Sequence, residues 1–157
     1  MITGMNKSRL TPVRVMIILL ALLGAVLYLL LGSVTVSVGK DSVTVSGTLA
    51  SSVTMQYSDI EEYELHTHMD IGTCSFGLNT RKTLTGKYAS PIYGSYNLFY
   101  YKNVHKFIML KTAETTIIFN CPSEEETIRC FEEINGYIQS NVHSELPVPT
   151  PEKATEA

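Results

Sequence analysis

Two periods meet at Gly32. From Val15 to Leu31 no charged residue and no proline interrupts an apolar run, and immediately afterwards Val34, Val36 and Val38 alternate with Thr35 and Ser37. The run reads as an apolar helix. The alternation reads as a half-buried strand, because successive strand side chains point to opposite faces. At 1.5 Å per residue the run makes a helix about 25 Å long, and Val13 and Arg14 extend it toward the roughly 30 Å hydrocarbon core of a bilayer. A transmembrane helix is therefore expected over 13–32, with Tyr28 near the far interface. A cleaved leader fits less well. The run is longer than a usual signal core, and Leu30 stands where cleavage after Gly32 wants a small residue.

Further along, Gly39-Lys40-Asp41 supplies a turn and Val43 and Val45 resume the alternation, a hairpin signal. Val53, Met55 and Tyr57 keep one parity. In "DIEEYELHTHMD", Tyr63, Leu65, Thr67 and Met69 take one face of a strand, and Glu62, Glu64, His66, His68 and Asp70 the other. A loop rich in Gly, Thr, Ser and Lys is expected from Gly72 to about Ser95. "YNLFYY" is strongly β-prone, and "HKFIMLKTAETTIIFN" reads as two buried strands turning at Ala113-Glu114. One amphipathic helix follows. Ser123 caps it, Glu126 completes a capping box, and Thr127, Cys130, Phe131, Ile134, Tyr137 and Ile138 recur at helical spacing. Beyond residue 141, "SELPVPTPEKATEA" is too polar and proline-rich to pack and is expected to be disordered.

Composition adds limits. A net charge of −3 over 157 residues offers no electrostatic footprint for nucleic acid. Lys7, Arg9 and Arg14 precede the apolar run, whereas Lys40 after it is offset by Asp41. The positive-inside rule then keeps residues 1–12 in the cytoplasm and places 33–141 outside the cell membrane, in a single-pass arrangement with 142–157 as a tail. Cys74, Cys121 and Cys130 are odd in number. A straight helical rise separates Cys121 and Cys130 by about 10 Å, too far for a disulfide, so free buried thiols are expected.

The stretch from "YSDI" through "GKYASPIYGSYNLFYY", "FIMLKT" and "TTIIFN" to "PSEEETIRCFEEI" resembles the bacterial pleckstrin-homology-like domains. The resemblance implies a mostly β (α+β) fold: a seven-stranded, partly open barrel capped by a C-terminal helix and often tethered to transmembrane helices. It implies no enzyme and no cofactor. Phosphoinositide binding is not expected, since "VGKDSV" brings Lys40 alone to the first hairpin loop, where phosphate recognition needs several basic side chains.

Three chemical patterns are weaker. His66 and His68 with Glu62, Glu64, Asp70 and Cys74 place metal-ligand types at strand spacing, but the same parity is the solvated face and no distant pair closes a tetrahedral site. "GTC" at Cys74 with Arg81 downstream is similar to the sortase transpeptidases, yet His66 and His68 stand almost beside the cysteine rather than many strands before it. Tyr93, Tyr96, Phe99, Tyr100 and Tyr101 read as a barrel strand with half its rings in the core. No catalytic, cofactor or metal residue is assigned. The expected function is non-covalent binding of a protein or peptide at a membrane surface, with the bilayer engaged through 13–32. The alternatives are self-assembly into a homo-oligomer and, further off, a thiol or metal enzyme at His66, His68 and Cys74.

Overall fold

The Val-rich alternation forms the sheet it predicts. In the computed structural model, which describes residues 12–48 and 50–144, strands β1 (Val34–Val38), β2 (Ser42–Gly47) and β3 (Ala50–Gln56) pair antiparallel in that order. The Gly39 N–H donates to the Ser42 carbonyl at 2.9 Å and closes the first hairpin at the predicted turn. A 3-10 turn over Tyr57–Asp59 leads into a second sheet. Its strands are β4 (Ile60–His66), β5 (Thr73–Asn79), β6 (Thr83–Ser90), β7 (Gly94–Tyr101), β8 (Phe107–Thr112) and β9 (Thr116–Phe119), in the order β4-β8-β9-β7-β6-β5. All pair antiparallel except β7 and β9, which run parallel.

The described residues thus hold nine strands in two sheets, and the expected single seven-stranded barrel is corrected. The difference arises mainly at β5 and β6, which occupy the segment expected to be a loop. Threonine, read there as a loop former, is β-branched and packs well in strands when its hydroxyl is bonded. Thr83 is fully buried with its hydroxyl 3.0 Å from that of Thr80, and Thr85 donates to the Thr48 carbonyl at 3.1 Å.

The central strands β8 and β9 of the six-stranded sheet are buried on both faces, which is why they read as continuous apolar runs rather than alternations. Ile108, Leu110, Ile117 and Phe119 face one cluster, shared with Val43, Val45 and the helix residues Cys130, Ile134 and Ile138. Phe107, Met109 and Ile118 face a second cluster with Tyr88, Tyr96 and Leu98. Helix α2 (Glu124–Ser144) begins as expected: the Ser123 hydroxyl accepts the Glu126 N–H at 3.2 Å. It runs three residues past the predicted boundary at 141, and the tail expected beyond it lies outside the described residues.

The N-terminal expectation is also corrected. Helix α1 (Pro12–Leu31) forms over the apolar run. Among the described residues, however, no helix is long and apolar enough to cross a membrane. The transmembrane span over 13–32 falls on this finding, and so does the single-pass placement with the domain outside the cell membrane. The tail over 1–12 lies, apart from Pro12, outside the described residues, as do the side chain of Tyr28 and residue Leu49.

Tyr57 ties the two sheets to α2. Its hydroxyl donates to the Gly39 carbonyl at 3.0 Å, and its ring stacks on Tyr137 with centroids 5.6 Å apart. Burial, with Glu133 nearby, pushes its phenol up to about 12 from an ordinary 10.0. The folded state prefers the neutral phenol, so this contribution is complete below pH 10 and is lost as pH rises through about 12. Urea titrations at stepped pH are expected to show stability falling above pH 10. Tyr57→Phe should fall less steeply over the same window.

Candidate functional site

An open groove of about 720 Å³ lies between the edge of the small sheet and the last helix, with Val34, Val36 and Val38 on one wall and Glu126, Arg129, Cys130 and Glu133 on the other. Cys121 and Pro122 close one end.

The backbone of β1 is what makes this groove chemically specific. Antiparallel strands direct the N–H and C=O of alternate residues toward the partner. The Thr48 N–H donates to the Ser33 carbonyl at 3.0 Å and the Gly39 N–H to Ser42, so Ser33, Thr35, Ser37 and Gly39 bond toward β2. Val34, Val36 and Val38 therefore turn their backbone groups the other way. Val34 is already engaged: its N–H donates to the Tyr101 hydroxyl at 3.1 Å, and that hydroxyl donates to the Val34 carbonyl at 3.1 Å. Among the described residues β1 is an edge strand, with no strand on this side. Val36 and Val38 are left presenting donors and acceptors along the groove, an open template for one more strand.

The opposing wall is acidic. Glu126, Glu132 and Glu133 stand against the single guanidinium of Arg129 along this face of α2. Beneath them, Cys121 and Cys130 are buried and interact through their thiols. The Cys130 side chain beside it holds the Cys121 thiol below its ordinary value, while the Cys121 side chain and burial push Cys130 up. The separation of about 10 Å expected from sequence is corrected here. Pro122 precedes the helix and the chain folds back on it, with the Cys121 N–H donating to the Thr127 hydroxyl at 3.0 Å. Thr127 and Cys130 lie three residues apart on one helix face, so Cys121 is set beside Cys130 rather than a full rise below it.

The residues singled out from sequence fall elsewhere. His66 ends β4 and stacks on Phe107, with centroids 5.2 Å apart. Its Nε2 is 2.7 Å from a Glu64 carboxylate oxygen in an ion-like contact that lacks hydrogen-bond alignment. His68 and Asp70 lie beyond the strand end, and Asp70 accepts the Gly72 N–H at 3.1 Å. Among the described residues, no group of three or more His, Cys, Asp or Glu is placed to hold a metal ion. Cys74 is the second residue of β5, at the opposite edge of the sheet from β4, and Arg81 occupies the turn at the far end of the β5–β6 hairpin. The thiol and the cation are thus separated by most of a strand. Cys74 is exposed, unlike the other two cysteines. Among the aromatics, Tyr96 and Phe99 are buried on opposite faces of the sheet, and Tyr101 spends its hydroxyl on Val34.

Compared with known proteins, the chain matches no family model, no curated protein and no solved structure.

Proposed function

We propose that this protein is a non-covalent binding module whose ligand is an extended, basic peptide segment added as a fourth strand to the small sheet at β1. The observation that carries the reading is the unpaired backbone of Val36 and Val38 facing a groove with an acidic far wall. Main-chain hydrogen bonds supply affinity in this mode, and pockets for alternate side chains supply selectivity. Apolar side chains of one parity would rest on the half-buried Val36 and Val38 and on the thiols below. Lysine or arginine of the other parity would meet Glu126, Glu132 and Glu133. The resemblance to bacterial pleckstrin-homology-like domains points the same way, toward binding without catalysis.

A capped peptide of alternating lysine and valine, titrated into the full chain, tests the reading by amide chemical shifts. The expected result is saturable shifts at Val36 and Val38 that weaken with added salt, and a much weaker response to a glutamate–valine peptide. Val36→Pro removes one outward-facing donor but no bond to β2, a substitution edge strands tolerate. It should weaken binding about tenfold, since a strand-addition bond contributes about 0.5–1.5 kcal/mol and proline also blocks its neighbour's approach. Binding that survives Val36→Pro unchanged, or shifts confined to residues away from β1, would remove the proposal.

A further inference from the structure

Cys121 and Cys130 form a second chemical feature, whose redox chemistry strand addition does not use. Both are buried, both line the same groove, and both belong to the cluster beneath α2. Their backbones are fixed by independent bonds. The Cys121 N–H is held by the Thr127 hydroxyl, which itself donates to the Ser123 carbonyl at 2.8 Å. Cys130 sits within a helix whose first turn is capped by Ser123. Both residues line the groove rather than a sealed core, so a small oxidant arriving through the groove reaches them. The nearest charged groups are Glu126 and Arg129, facing Cys121, and Glu133, facing Cys130.

We infer that Cys121 and Cys130 are a reversible dithiol–disulfide site, oxidised by a hydroperoxide that enters along the groove between β1 and α2. Cys121 Sγ, as thiolate, attacks one peroxide oxygen. An S–O bond forms, the O–O bond breaks, and with hydrogen peroxide the departing hydroxide leaves as water after protonation. Cys130 Sγ then attacks the sulfenic sulfur of Cys121. The S–S bond forms, the S–O bond breaks, and a second water carries away the Cys130 proton. Two thiols and one peroxide thus give one disulfide and two waters. Cys121 is assigned the first attack because it lies just ahead of the N-terminal end of α2, where the helix dipole favours a thiolate, and Cys130, inside the helix, resolves it. The inference does not depend on peptide binding.

The test uses the full chain carrying Cys74→Ser, treated with a modest excess of hydrogen peroxide and read by intact mass and thiol titration. The expected product is about 2 Da lighter, has lost both remaining thiols, carries a Cys121–Cys130 link in a peptide digest, and regains both thiols with dithiothreitol. With Cys130→Ser also present, Cys121 should instead gain one oxygen and be trapped by a sulfenic-acid reagent. Circular dichroism identifies variants that fail to fold, and Cys130→Ala serves in place of Cys130→Ser if needed. Independent stepwise oxygen gain at both cysteines, a link between two chains in place of the internal one, or thiols unchanged by peroxide would each overturn it.

Discussion

Asn120→Ala is expected to lower folding stability by about 2–5 kcal/mol, because it strands the Tyr101 N–H and the Val104 carbonyl near the core at about 1–3 kcal/mol each, while the Tyr101 carbonyl keeps the Val104 N–H. Asn120 is fully buried just past β9. Its Oδ1 accepts the Tyr101 N–H at 2.6 Å, and its Nδ2 donates to the carbonyls of Tyr101 and Val104 at 3.1 and 3.2 Å. The side chain does there what a continuing strand would do, satisfying the end of β7 as the chain turns away. Urea unfolding followed by circular dichroism measures the loss. Asn120→Asp keeps the acceptor for Tyr101 but turns a carboxylate toward two carbonyls. It should therefore be strongly destabilised at neutral pH and partly recover in acid, as the carboxylate takes up a proton. A loss below about 1 kcal/mol for the alanine variant would show that water replaces the amide.

Gly86→Ala is expected to cost at least about 3 kcal/mol, through the overlap of a new methyl group with main-chain atoms that have no room to retreat. Gly86 has φ 139 and lies opposite Gly77 in the β5–β6 ladder. A Cβ there would overlap the Phe76 carbonyl oxygen and the Gly77 Cα. β5 is an edge strand, so its detachment is the cheapest relief. Amide exchange over 73–79 should rise far more than exchange in β8 or β9. Gly94→Ala is the matched control. Gly94 also has positive φ, but open space surrounds it. Only the conformational penalty remains there, about 1–2 kcal/mol. Equal effects at the two positions would mean that the Gly77–Gly86 approach is looser than its geometry implies.

The parts of the fold legible in the sequence were those with a period. Val34 to Val45 gave the first hairpin with its turn, and Ser123 with the stripe from Thr127 to Ile138 gave the closing helix. The paired apolar runs around Ala113-Glu114 gave β8 and β9. What carried no period was misread. β5 is exposed along almost its whole length, so nothing in it alternates, and β6 buries threonines that composition assigns to a loop. The apolar N-terminal run was read as a span from its length and its lack of charge and proline, yet among the described residues no helix is long and apolar enough to cross a membrane.

The candidate site was less legible still, because its main feature is backbone. No side-chain pattern announces that Val36 and Val38 face an empty edge; that depends on which strand ends the sheet. The thiol pair was hidden by treating the helix as a straight ruler, when "CPSEEET" contains the bend. Proline ahead of the helix and a threonine one turn in are what fold Cys121 back. The histidine-rich stretch attracted attention through residue type, yet His66 spends its ring on Phe107.

The parallel pairing of β7 with β9 has a consequence for how the molecule is made. β4 and β8 belong to one half of the large sheet, β5, β6 and β7 to the other, and only β9 joins them. The joint is three residue pairs, Asn97–Ile117, Leu98–Ile118 and Phe99–Phe119. β9 is also the last of the described strands. During synthesis, two half-sheets with bare inner edges must wait for residues 116–119 before either can close, exposing the apolar faces that aggregate most readily. A chain that stalls just before Thr116 would carry nearly all of its hydrophobic strands and none of the seam that holds them.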